Sequence, residues 1–343
     1  MITGVPTKLT GPIKLLSSEW RGEVSIPLAT FEVPLWASVQ RGIKLANLAG
    51  GLKVTLIQEG MTRSILLECD QIDEALKLRE WLTKHQNKLQ EAIDATSRFV
   101  KLKSWHCELV AHLIFLRFTF DTDAAAGHNM ATKAAEALQN LILANFEHLH
   151  YVSISGNYCV DKKNSAINGI LGRGRSVLAE AVISKELCQK WLRTTPEAIA
   201  ALNLKKNLIG SIIAGGVRTA NAHFANMLLA FYLALGQDGA NVVEGSQGIS
   251  YAQVDASGDL YFAVNLPNII IGSVGNGKEH SEIKDRLSEF SFWNPRDMRF
   301  NARMLALTAA AAVWAGELSL LAAQTNPQEL VRTHILLERK RKH

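Results

Sequence analysis

Cysteine is scarce in this chain, and its spacing excludes several chemistries. Cys69, Cys107, Cys159 and Cys188 are the only four in 343 residues, and no two form a C-x-x-C pair. This argues against a structural zinc site or a disulfide framework and fits a reducing compartment. The ten histidines contain no H-E-x-x-H pair, and His148 and His150 alternate without a third ligand nearby, so no metal is expected. There is no G-x-S-x-G elbow and no G-x-G-x-x-G after a strand, which weakens hydrolase and Rossmann readings. No period of twenty to fifty residues repeats, which argues against a solenoid. Lys8 and Lys14 are not followed by the apolar run of a signal peptide. One apolar run, 304–323, is long enough to span a bilayer, but it is Ala-rich and carries Glu317, so a buried helix is the expectation. Together these absences predict a soluble, cytoplasmic protein without a membrane partner.

What is present suits a large core: hydrophobic residues make up 48% and charged residues 20%. The length predicts two domains, or one with an insertion. A net charge of +5 is mildly basic, partly through the tail 338–343, and suits anionic small molecules better than nucleic acid. Short apolar runs in the first sixty residues read as strands around a helix near 36–46. "SILLE" then opens a β-α-β-β-α-β order over roughly 65–153, with one long amphipathic helix over 71–96 and a second over 129–146. That is a ferredoxin-like pattern. The expected fold is α+β: a large helix-rich domain in two parts, 1–64 and 151–343, with a small domain inserted at 65–150. In the second part, 185–204 and 220–236 read as helices, and 249–274 as strands with a hairpin at "ASGD".

Polar clusters interrupt the apolar sequence. Glu32, in "TFEV", is either a solvent-facing strand residue or a buried acid with a raised pKa. Asp161, Lys162 and Lys163 follow a buried strand; adjacent lysines can be a solvated turn, or a lysine held beside an aspartate can stabilise an oxyanion. Asp238 follows an apolar helix, at an end where carboxylates are unfavourable, so it is exposed or kept for function. His334, on an apolar helix, is a packed residue or a general acid. "GSVGNGKE" (272–279) nearly matches a phosphate-binding loop, but Glu279 stands where the magnesium-binding hydroxyl belongs.

These clusters resemble the hydroxymethylglutaryl-CoA (HMG-CoA) reductase family, in its class I form. The matching stretches include "PLATFE", "EGMTR", "DATSRF", "SGNYCVDKKNSAIN", "GRGRSV", "KNLIGS", "NAHFAN", "GQDGANVVEGS", "IGSVGNG" and "AGELSLLAA". The resemblance implies reduction of HMG-CoA to mevalonate and CoA by two NADPH, in the mevalonate route to isoprenoids. It assigns catalysis to Glu32, Lys162, Asp238 and His334. Lys162 would stabilise the substrate oxyanion, Glu32 would supply protons, and His334 would protonate the departing CoA thiolate. Substrate contacts fall on Arg63, Ser155, Asp161, Lys163 and Lys206, with Asn226 bonding near the catalytic lysine. CoA contacts fall on Ser38, Arg41 and Lys44. In the small domain, which the resemblance makes the NADP-binding one, Ser97 and Arg98 match cofactor contacts, Arg98 suiting a 2′-phosphate. Gly127, Asn129, Met130, Gly275 and Asn276 complete the cofactor set, with no phosphate role for Lys278.

Several positions depart from the family pattern. The cofactor loop D-A-M-G-M-N-M appears as "AAAGHNM" (124–130), with Asp123 one place early, so NADH remains open as an alternative cofactor. Val33 and Pro34 replace a Gly-Cys pair, the family's E-N-V-I-G dimer segment has no counterpart, and Lys340 replaces a phosphorylatable serine. The resemblance implies a homodimer with its active site at the subunit interface. A catalytically weak relative that binds CoA esters as a regulatory protein is the alternative.

Overall fold

A computed structural model describes residues 4–275 and 277–335. Two strands, β1 (Thr7–Leu16) and β2 (Arg21–Ala29), pair antiparallel and lead into helix α1 (Val33–Leu48), with Pro34 in its first turn. Next comes β3 (Leu52–Cys69), a single strand of 18 residues. The expected boundary at 64/65 lies inside it.

β3 belongs to two sheets. Its first half pairs with β1 and with β7 (Gly174–Ile183), a ladder ending at Gly60 opposite Gly174. Its second half pairs with β5 (Leu113–Asp121), beginning at Met61 opposite Phe120, and with β6 (Leu149–Ser153). With β4 (Lys101–Val110) on the outside, the second sheet runs β4-β5-β3-β6. Helices α2 (Ile72–Lys84), α3 (Gln86–Asp94) and α4 (His128–Asn145) supply the rest of the ferredoxin-like order. The long helix expected over 71–96 is thus two helices. The chain leaves helical geometry at His85, whose imidazole Nδ1 lies 2.9 Å from the Trp81 carbonyl. This unit has its own core, including Leu78, Leu89, Phe118, Phe120 and Leu138.

After β6, α5 (Ala166–Leu171) is capped by the Ser165 side chain, and β7 returns to the large sheet. The helix expected over 185–204 is broken. A short α6 (Lys185–Leu187) opens into a wide turn that ends at Arg193, φ 56°, and α7 (Pro196–Leu202) starts afresh on a Thr195 cap. Pro196 explains the break, because it can start a helix but not continue one. A wide-pitch segment, 203–210, leads to α8 (Ser211–Ile213), and α9 (Phe224–Ala234) follows. Short α10 (Val242–Gly245) precedes the expected hairpin of β8 (Ile249–Val254) and β9 (Leu260–Ile269). The large sheet therefore runs β2-β1-β3-β7-β9-β8.

Past α11 (Ser281–Ser288), α12 (Met298–Thr325) runs through the centre of the large core, and α13 (Glu329–His334) follows it. α12 is long and apolar enough to cross a membrane, but 94% of its apolar window is buried inside the protein. Its alanines let neighbouring backbones come close. A Cβ built on Gly42 of α1 would stand 2.1 Å from the Ala315 carbonyl oxygen.

Candidate active site

The loop from Gly156 to Lys163 holds Lys162 in a left-handed conformation, φ 56°, and its ammonium reaches Asp238 at 3.0 Å. Asp238 does not burden a helix C-terminus. It caps the following short turn, accepting from Ala240 N–H at 3.0 Å, so the carboxylate meets amide dipoles pointing towards it. Lys162 raises its own pKa chiefly through that bond to Asp238. For Asp238 burial pushes upward, but Lys162 and the Ala240 amide outweigh it and lower the pKa. Both groups stay charged at neutral pH.

Behind this pair stands a buried Arg173, which sequence reading gave no role. It pairs with Asp161 at 3.0 Å and with Glu244 at 2.7 Å, and the Arg173 and Glu244 side chains are both 0% exposed. Asp161 is drawn upward by burial, yet His128, Arg173 and Lys162 hold it well below the usual carboxylate range. Burial pushes Glu244 above its ordinary value despite Arg173. "GRGRS" and "EGS" were the only sequence signals for this pair. Arg117, also buried, braces the same loop by donating to the carbonyls of Tyr158 and Gly172 and to Asn168 Oδ1.

Lys162 and Asp238 open onto a cleft of about 460 Å³. Arg63 and Asp161 line it, as do Gly127, Asn129 and Met130 from the loop opening α4, and Gly275. That loop packs against the glycine segment: Ser273 N–H donates to the Ala124 carbonyl, and a Cβ on Gly272 would lie 2.5 Å from Ala126 N. Gly275 has φ 97° and nothing within 4 Å on its Cβ side, so its backbone is open to a ligand. Lys278 also lines the cleft, 8% exposed, with burial pulling its pKa down to about 8. Its burial was not legible in the near-match to a phosphate loop. Asn276 lies outside the described residues.

Glu32 stands elsewhere. It begins α1 rather than lying on a strand, and accepts a 3.0 Å hydrogen bond from Asn226 Nδ2. Within one chain, then, Asn226 bonds Glu32 and lines its cleft rather than the one Lys162 lines. This second cleft, of about 380 Å³, is lined by Glu32, Ser38, Arg41, His223 and Asn226. Ser38 Oγ lies 3.0 Å from Ser319 Oγ, and Arg41 pairs with Glu329 at 2.9 Å, tying α1 to the start of α13. Lys44 stacks over Trp191 at 3.4 Å. Lys206 donates to Asn207 Oδ1 and is pulled down in pKa by burial, which the attraction of Glu317 opposes. Glu317, 0% exposed, accepts from the amides of Ala222 and His223 and from Asn207. Burial lowers the His223 pKa to about 4, and its Nε2 lies 3.1 Å from the Gly316 carbonyl.

A single chain therefore gathers Lys162, Asp238, Asp161 and Arg63 but places Glu32 and Asn226 in a separate cleft. The His334 side chain and Lys340 lie outside the described residues. Ser155 contacts Cys159 Sγ at 3.7 Å and Lys163 donates to the Asp161 carbonyl, and neither lines either of these two clefts. Ser97 and Arg98 occupy the turn between α3 and β4, Arg98 lying 4.7 Å over the Phe99 ring. Among the described residues, no group of three or more His, Cys, Asp or Glu could hold a metal ion.

The fold is a two-sheet α+β architecture that places a charged Lys–Asp pair at a glycine-walled cleft. The chain belongs to the hydroxymethylglutaryl-coenzyme A reductase family, whose model matches residues 2–339. It is 42% identical over 340 residues to the 3-hydroxy-3-methylglutaryl-coenzyme A reductase of Pyrococcus abyssi, covering 98% of this chain and 83% of that one. It is 41% identical to reductase 2 of Dictyostelium discoideum, covering 98% and 64%. Its fold is similar to the class II reductase of Streptococcus pneumoniae solved with NADPH in open conformations: TM-score 0.73, 20% identity, 95% and 86% coverage. At that identity the likeness shows the fold alone, and it does not establish the class I form.

Proposed function

We propose that the protein reduces HMG-CoA to mevalonate and CoA with two NADPH. The observation that carries this reading is the 3.0 Å Lys162–Asp238 pair beside Arg63 and Asp161, at a cleft walled by the two glycine-bearing loops. The open backbone at Gly275 and the N-terminus of α4 fit a dinucleotide carrying phosphates. NADPH supplies the hydride for each of the two reductions. Lys162, kept charged by Asp238, meets the oxygen on which negative charge develops as the thioester carbonyl is reduced. Arg63 presents a planar fork to the substrate carboxylate. Asp161, held ionised against Arg173, fixes the backbone that carries Lys162.

Glu32 supplies protons and His334 protonates the CoA thiolate; these roles rest on the sequence pattern. Because Glu32 lies in a separate cleft, we take the working enzyme to be a homodimer in which Glu32 of one copy faces Lys162 of the other. Exposed apolar residues beside Lys206 favour such an interface, with Ile212 64% and Ile213 81% exposed. The class I form is favoured by identity to the archaeal relatives about twice that to the class II chains. A cytoplasmic location accords with the reducing chemistry of four free cysteines.

The test is NADPH-dependent turnover of HMG-CoA, with NADH in parallel. Lys162→Ala should abolish turnover and leave the circular dichroism spectrum unchanged. Retained activity would remove Lys162 from its role. A wild type that binds HMG-CoA but turns over neither cofactor would favour a CoA-ester-binding regulator.

A further inference from the structure

We propose that Arg175 is a positioning residue for the dinucleotide, a buried clamp that holds both walls of the cofactor cleft at their base. The inference rests on the reductase reading above. Arg175 lies on β7 opposite Glu59 of β3, where β3 passes from one sheet to the other, and is 5% exposed. Its Nη2 donates at 2.8 Å to the carbonyl of Asp123, and its Nη1 donates to the carbonyl of Ile271. Asp123 immediately precedes the cofactor loop 124–130, and Ile271 immediately precedes the glycine segment 272–275. One planar group thus fixes the spacing between the roots of the two walls.

Asp123 is left-handed, φ 54°, a conformation that a non-glycine residue keeps only where its surroundings hold it. Its N–H donates to Asp121 Oδ1 at 2.9 Å, and Arg175 secures its carbonyl from the other side. The free space among Glu59, Asp123, Arg175 and Ile271 is about 10 Å³, at the lower limit for one water, so solvent does not stand in for the guanidinium. Glu59 supplies the balancing charge: its carboxylate lies 3.5 Å from Arg175 Nε and also pairs with Arg299 and, at 2.6 Å, with Arg303, both from α12. Arg299 reaches Asp121 at 2.6 Å as well, so the same cluster ties α12 to the strand that runs into the cofactor loop. Above the clamp the walls meet through backbone groups, Ser273 N–H on the Ala124 carbonyl and a bridge between Ala125 and Val274. Without Arg175 those contacts lose their fixed base, and NADPH must order both walls as it binds. Preorganisation lost in this way weakens binding by about tenfold, the worth of one hydrogen bond to a charged group.

The test is the Kd for NADPH, by fluorescence titration without HMG-CoA, in wild type, Arg175→Gln, Arg175→Lys and Arg303→Gln. Arg175→Gln reaches one carbonyl at most and carries no charge, so its Kd should rise about tenfold. Its KM for NADPH should rise alike, with the KM for HMG-CoA changing less than about twofold. Arg175→Lys restores a charged donor from a single nitrogen and should recover to within about threefold of wild type. Arg303→Gln also takes a cation from Glu59 but touches neither wall, and should bind NADPH within about twofold of wild type. A folded Arg175→Gln that binds NADPH like wild type would overturn the proposal. So would an Arg303→Gln variant weakened as much as Arg175→Gln, or a KM for HMG-CoA raised as much as that for NADPH, since either marks a general loss of structure. A wild type that binds neither NADPH nor NADH would instead refute the reductase reading. The clamp is then read from amide hydrogen exchange in Arg175→Gln, or in Arg175→Lys if the first does not fold. Faster exchange in both 124–130 and 272–275 than in wild type supports it, and unchanged exchange in either segment overturns it.

Discussion

Arg173 is the side chain on which the catalytic loop depends most, and replacing it should expose two distinct effects. The Arg173→Met variant keeps much of the aliphatic bulk but strips Glu244, which is 0% exposed, of its cationic partner at 2.7 Å. Removing one member of a buried pair costs about 3–5 kcal/mol, because the remaining charge loses its compensation. At about 2–4 °C per kcal/mol, the melting temperature should fall by roughly 6–20 °C. The pH dependence has a definite sign. Burial already raises the folded-state pKa of Glu244 above its unfolded 4.5, so the folded protein holds that proton more tightly. The stability it contributes is present at low pH and is lost as pH rises through the folded value. Without Arg173 that value rises further, so the variant should regain stability on acidification from about pH 8 to 5, relative to wild type. The double variant Arg173→Met, Glu244→Leu should recover most of the melting temperature, since an apolar replacement of a buried pair is close to neutral. It should not recover the KM for HMG-CoA, because Asp161 still lacks its partner at 3.0 Å. Thermal unfolding and steady-state kinetics on the three proteins decide the matter. A single variant melting within about 2 °C of wild type, or a double variant no better than the single, would refute the argument.

Two further outcomes follow from close packing and from burial. Gly42→Ala should cost about 2–3 kcal/mol by denaturant unfolding, because its Cβ would meet the Ala315 backbone at 2.1–2.5 Å and neither helix can yield cheaply. Lys278→Met should stabilise the protein at pH 7 by about 1–2 kcal/mol, since burial pulls the lysine down to about 8 from 10.5. Wild-type stability should then rise with pH between those two values, where the unfolded chain binds more protons, and the variant should lack that rise.

Much of this protein was determined by its sequence. Alternating apolar residues produced the strands, three-and-four spacing produced the helices of the small unit, and alanine content marked α12 as a core helix. Local signals, however, overran the breaks. Periodicity continues through His85, and apolar residues continue past Thr194, where backbone geometry and Pro196 interrupt the helices. Lys162, Asp161 and Asp238 were picked out because their types are unusual between apolar runs, whereas Arg63 entered only through the family resemblance. What joins them was not legible, since Arg173 and Glu244 are 71 residues apart and meet only in the folded chain, where Arg173 lies just ahead of β7 and Glu244 on α10. Tertiary structure alone decided that β3 serves two sheets, that Asp238 caps a turn instead of ending a helix, and that Glu32 and Lys162 occupy different clefts of one chain. The reason is physical: periodicity records which face a residue presents, whereas burial and charge pairing depend on what the rest of the chain brings to that face.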